Sequence, residues 1–152
     1  MKMQETNLQD LLILHPMHGI HGLACLYLKS DPEKAKQFIM EGMALQRERL
    51  SYQKEGFKIL EKCGAYKEID EEYKKQTTEN QKNGRIQYYY VAALEKLERN
   101  EEAYHLLNDG DGMDVSDIRE GDSDIQSIWE RLHEKVYGEK GHLPHYYNFK
   151  VN

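Results

Sequence analysis

Apolar residues recur along this chain at the three- and four-residue spacing that places them on one face of an α-helix. The faces themselves also recur. Ala35, Ile69 and Ala103 stand 34 residues apart, and four positions beyond each stand Ile39, Tyr73 and Leu107. Upstream, Leu23, Phe57 and Val91 form another column, and Leu26, Leu60 and Leu94 a fourth. The pattern predicts two amphipathic helices per 34-residue unit, repeated three times over residues 16–110. One such pair has too little core to stand alone, so neighbouring pairs must cover one another. Four aligned columns over three units argue against an ordinary helical bundle with an accidental repeat.

Local signals divide the pattern into elements. Met1 to Gln9 reads as a frayed end and Leu8 to Leu14 as a short capping helix. Pro16 opens a first helix to about Lys29, since its missing N–H costs nothing there. Asp31 caps a second, with Pro32 at its first position, running toward Arg49. The boundary at Arg49 to Ser51 is weakly marked, and only the period argues for a bend. A third helix spans Ser51 to Cys63 and stops at Gly64; a fourth runs from Tyr66 to about Thr78. Asn80 to Gly84 is a turn, followed by helices Ile86 to Leu97 and Glu101 to Leu107. Residues 111–122 read as an acidic loop. Ser123 and Gln126 form a capping box for a helix over 123–137, whose stripe is Ile125, Ile128, Trp129, Leu132 and Val136. That helix should cover the open end of the last hairpin, with the aromatic residues 138–152 docked as an extended tail. The whole, 1–152, is expected to be a single domain.

The repeat resembles the tetratricopeptide repeat family. The third unit carries the likeness best, from Tyr88-Tyr89-Tyr90-Val91-Ala92-Ala93-Leu94 through Glu102-Ala103-Tyr104-His105-Leu106-Leu107. The family's pairing of a small residue with a larger one four positions on is met by Ala35/Ile39 and Ala103/Leu107; Ile69/Tyr73 departs from it. Gly22 and Gly56 fill the small position of the first helix, where the third unit has Tyr90, and the usual proline between units is missing. The resemblance therefore implies degenerate repeats: an all-α fold, a short right-handed α-solenoid of helix hairpins with a C-terminal capping helix, whose first helices line a concave face that binds a protein or peptide segment. Phase within the repeat puts Tyr27, Lys58, Glu61, Tyr88, Ala92 and Glu95 on the solvent side of that groove. The stretch Val115 to Ser123, with Trp129-Glu130 and the closing Pro144 to Lys150, resembles the C-terminal end of large bacterial tetratricopeptide proteins that carry a domain of unknown function, often considered carbohydrate-related. It implies no catalytic residue.

Charge narrows the partner. The chain has 21 basic and 27 acidic residues, a net charge of −6. Its densest basic stretch, Arg47 to Lys62, is interleaved with Glu48, Glu55 and Glu61, so no clustered footprint for nucleic acid exists. A basic or neutral protein or peptide fits better. No run approaches the length of a membrane span, and Leu11 to Leu14 lacks the flanks of a signal peptide, so a cytoplasmic location is expected. Cys25 and Cys63 fall in apolar helical patterns and read as reduced and buried.

Candidate chemistry is sparse. Asp109-Gly110-Asp111-Gly112 opens like a calcium loop, with Asp117 and Glu120 further on. Met113 and Asp114, however, stand where an oxygen ligand and the turn glycine belong. His15, His18 and His21 are three apart without a matching carboxylate or cysteine; His105, His133, His142 and His145 are scattered. No metal and no cofactor is expected. Cys25 or Cys63 as nucleophile would need a base and an orienting group, and no hydrolase, zinc-protease, phosphate-loop or dinucleotide motif is present. Eleven tyrosines against three phenylalanines are more informative, because Tyr88 to Tyr90 cannot all face a core. The reading is a non-catalytic binding scaffold. The alternatives are an accessory module of a carbohydrate-active protein, a homo-oligomer joined through its aromatic surfaces, and a small enzyme with an unrecognised site.

Overall fold

The computed structural model describes residues 16–110, 112–116 and 124–144, with Pro16–Ile20 and Asp124 described by backbone alone. The expected capping helix at 8–14, the docked tail from 145 onward and most of the acidic loop lie outside the described residues, as does Ser123 of the capping box. Every element among the described residues is α-helical. In order they are α1 (Pro16–Tyr27), α2 (Pro32–Leu45), α3 (Leu50–Lys62), α4 (Tyr66–Lys74), α5 (Thr78–Gln81), α6 (Gly84–Lys96), α7 (Asn100–Asn108) and α8 (Asp124–Tyr137).

The helix starts keep the period of the sequence. α1, α3 and α6 begin at Pro16, Leu50 and Gly84; α2, α4 and α7 begin at Pro32, Tyr66 and Asn100. Each set advances by 34 residues. The columns of the repeat are the buried positions. Leu23, Phe57 and Val91 are fully buried, as are Ala35, Ile69 and Ala103. Ile39, Leu60, Leu94 and Leu107 join them, while Leu26 and Tyr73 are half-buried.

The caps explain where the helices begin and end. Asp31 accepts from the backbone N–H of Lys34 at 3.2 Å with Pro32 at the first position, and Asn83 accepts from that of Ile86 at 3.1 Å. Asn83 thereby draws Gly84 into α6, two residues earlier than the turn signal predicts. The weakly marked boundary after α2 is made by a side chain from the next helix. Buried Gln53 donates to the carbonyls of Met43 at 3.0 Å and Gln46 at 2.7 Å, adding to the single turn-type backbone bonds that these carbonyls accept where α2 ends. α3 ends in a Schellman turn: Gly64 takes φ +67°, its N–H donates to the Glu61 carbonyl and that of Ala65 to Leu60. α4 stops at Lys74, short of the expected Thr78, and Gln76 folds back to donate to Gln53 Oε1 at 2.8 Å.

The chain gathers into two compact units, Met1–Thr77 and Thr78–Asn152. In the first, α2 packs on α1 and α3, and α3 on α4. Gly56 of α3 is a notch filled by the Met43 thioether, in the space a Cβ would occupy. In the second, α6 packs on α7 and α8, and α7 on α8. Ile125, Ile128, Trp129 and Leu132 of α8 are buried, as their spacing predicts. No described helix is long and apolar enough to cross a membrane.

Candidate partner-binding surface

The six groove positions divide between the units, three in each, and their exposure corrects two of them. Tyr27 is 4% exposed, not solvent-facing. It packs with Leu23 and Ala35, lies 5.8 Å ring to ring from Phe38, and carries the Lys34 ammonium 4.5 Å over its face. It is the last residue of α1, and the turn into α2 folds Phe38 and Lys34 onto it. Glu95 is likewise buried, at 7%. Arg131 grips it through two hydrogen bonds of 2.8 and 3.0 Å, and Lys135 donates at 3.1 Å, both from α8. Burial pushes its carboxyl upward, but the hydrogen bonds from Arg131 and Lys135 outweigh this and hold it below the ordinary 4.5. Glu95 is a seam between α6 and α8.

The other four keep some contact with solvent. Lys58 is exposed; Glu61, Tyr88 and Ala92 are half-buried. Tyr88 stands edge-on to Tyr89 at 5.9 Å. Tyr89 and Tyr90 are buried, so the tyrosine triplet turns one ring outward and two inward, as helix geometry requires.

A second surface escaped the sequence reading. Trp129, His133 and Tyr137 follow one another at four-residue spacing along α8; the first pair stacks with ring centroids 5.1 Å apart, and the second is tilted at 4.9 Å. Tyr104 of α7 meets Tyr137 edge-on at 5.3 Å and His133 at 5.9 Å. Trp129 is the inner end, its Nε1–H donating to Asn108 Oδ1 at 2.9 Å; Tyr137 is the outer end, 56% exposed. His133 Nδ1 lies 2.8 Å from the Glu139 carbonyl, which fits an N–H donor there and leaves Nε2 as an acceptor. The spacing was visible in the sequence. Reading the helix only as a cap hid the face that Val136 does not occupy.

The cysteines also depart from expectation. Cys63 is half-buried against the Leu23 core, and burial pushes its thiol upward. Cys25 is exposed, because in α1 it faces away from the stripe of Leu23 and Ala24. Of the histidine triplet, His15 and the side chain of His18 lie outside the described residues, and so do Asp111, Asp117 and Glu120 of the loop that opens like a calcium site. Among the described residues no cluster of three metal-ligating side chains occurs. In comparisons with known proteins the chain matches no family model, no curated protein and no solved structure.

Proposed function

We propose that this chain is a tetratricopeptide-like helical-repeat scaffold, a short right-handed solenoid that binds a protein or peptide segment and performs no chemistry on it. The observation that carries the reading is the recurrence of helix starts at Pro16, Leu50 and Gly84, and at Pro32, Tyr66 and Asn100, with the repeated columns buried. Equal hairpins that bury equivalent columns favour stacking over a closed bundle, and a stack presents the first helix of each pair along one face. In the first unit Lys58 and Glu61 of α3 supply mixed charge, and in the second Tyr88 and Ala92 of α6 supply an aromatic anchor. The net charge of −6 favours a basic or neutral segment.

Selection of a displayed peptide library on the full chain tests this, followed by titration of the selected peptides. Tyr88→Ala should weaken them about tenfold, the scale of an interfacial aromatic anchor. Lys58→Glu should tighten the basic ones, and Ala92→Arg should loosen them. Peptides indifferent to all three substitutions would remove the groove.

Self-association is a second reading, favoured by Leu45 and Leu50. They flank the α2–α3 turn and are 61% and 36% exposed. Sedimentation of the wild type beside Leu45→Glu decides it: a dimer that the charge dissolves supports it, and a monomer in both refutes it.

A further inference from the structure

Four side chains of the first unit converge on the exposed flank of α1, and the binding reading uses none of them. Cys25 Sγ lies 3.7 Å from His21 Nδ1 and 3.9 Å from Nε2, one helical turn away on the same face. From α3, Glu55 brings a carboxylate oxygen to 3.9 Å from His21 Nε2. Tyr52, one turn before Glu55, meets the His21 ring edge-on at 6.5 Å. The order is thiol, imidazole, carboxylate: a nucleophile, a base one turn away, and an anion that faces the base.

Tyr52 is the second, independent observation. Its side chain is 5% exposed, and its hydroxyl is buried with no hydrogen-bond partner among the described residues. A buried hydroxyl left in that state costs free energy, because it has given up its water without a replacement. Burial, with the Cys25 thiolate adding to it, pushes the phenol up to about 12, so it stays a donor at neutral pH. It therefore has a proton to offer and no acceptor, on a ring that meets His21 edge-on. Cys63 provides the contrast: a half-buried thiol held protonated by its surroundings.

We propose that Cys25 is a reactive-thiol site that accepts low-molecular-weight disulfides, with His21 as its base, Glu55 as the residue that positions His21, and Tyr52 as a donor to the incoming disulfide. His21 takes the Cys25 proton. The thiolate attacks one sulfur of the disulfide, forming a new S–S bond as the old one breaks. The departing thiolate takes the proton back from the imidazolium. One disulfide and one thiol enter; one mixed disulfide and one small thiol leave, so the disulfide itself is the only oxidant.

The test uses the full chain at neutral pH with two probes: 2-hydroxyethyl disulfide, whose leaving thiolate is a strong base, and an aromatic disulfide, 5,5′-dithiobis(2-nitrobenzoate), whose leaving thiolate is a weak one. Labelling at each cysteine is followed by mass spectrometry. With the aliphatic probe Cys25 should react about tenfold faster than Cys63, and the advantage should vanish in denaturant. His21→Asn should slow Cys25 about tenfold with the aliphatic probe and by less with the aromatic one, since both lose the base that forms the thiolate and only the basic leaving group also loses the returned proton. Glu55→Gln should give the same split in smaller measure, and Tyr52→Phe should slow both probes. Circular dichroism confirms that each variant is folded. A folded wild type whose Cys25 reacts no faster than the same cysteine in a peptide spanning residues 21–29 overturns the proposal. So does a His21→Asn variant whose Cys25 keeps the wild-type rate with both probes, which would make His21 a structural neighbour only.

Discussion

Among the described residues each unit buries one glutamate carboxylate, and they neutralise it in different settings. In the first unit the Glu72 side chain is 2% exposed; Arg47, itself 22% exposed, donates to it at 2.6 Å, and the exposed Lys75 ammonium stands 3.8 Å away. The same guanidinium reaches Gln53 Oε1, which also accepts from Gln76, so the pair belongs to a buried network that ends α2 and holds α4. In the second unit Glu95 is as well hidden, but its partners Arg131 and Lys135 are about half exposed, at 52% and 45%. A cation that keeps its water loses little when its anion goes; a cation sealed in with its anion loses both. The same residue type is therefore a structural keystone in one unit and an exchangeable clasp in the other.

The largest effect should come from breaking the more buried pair. Glu72→Ala is expected to destabilise the first unit by about 3 kcal/mol, because it removes the shortest bond that the part-buried Arg47 makes and unsettles Gln53. Hydrogen exchange should show α3 and α4 losing protection while α6 to α8 keep theirs. Glu95→Ala should cost less, about 1–2 kcal/mol after discounting for the hydrated partners, and it should loosen α8 from α6. Acid sharpens the contrast. Because folding lowers the Glu95 carboxyl below 4.5, its contribution is complete above that value and is lost as pH falls through the lowered one. A urea titration of wild type against Glu95→Gln should show a stability gap at pH 7 that closes below about pH 4.5.

The smallest effects concern the two matching hairpin turns. Gly64 and Glu98 both occupy the left-handed region, at φ 67° and 61°, and both close a Schellman turn. Glycine takes that conformation freely, whereas glutamate adopts it at a cost of about 1–2 kcal/mol. Gly64→Ala should destabilise by about 1 kcal/mol, while Glu98→Gly should stabilise by somewhat less, since glycine also loosens the unfolded chain. Thermal unfolding of the two variants side by side checks both signs.

The period, the columns and the helix faces were legible because they depend on spacing alone. Helix ends were legible where the capping residue is local, as at Asp31 and Gly64. They were not where the partner comes from elsewhere in the chain, as with Gln53 at the end of α2 or Gln76 after α4. Exposure within a face was the weakest inference. Tyr27 and Glu95 sit at positions the repeat phase turns outward, and each is covered by a neighbour that phase cannot foresee, Phe38 and Arg131. Cys25 failed in the opposite direction: it lies beside an apolar stripe without belonging to it. His21 was singled out for its spacing to other histidines, whereas its neighbours are one helical turn onward at Cys25 and across to α3 at Glu55.

The chain between α7 and α8 is pinned partway along its course. Met113 is buried, the Asp114 carbonyl lies where Gly84 has no Cβ, and Asp114 Oδ1 accepts from the Ser116 N–H at 2.9 Å. A connection fastened in this way behaves as two separate spans. Extra residues added after Ser116 lengthen only the span toward α8, and the entropic cost of a longer loop grows slowly, about 0.6 kcal/mol per doubling. Residues added between Asn108 and Gly112 lengthen only the other span. Replacing residues 113–116 themselves would instead uncover the start of α6.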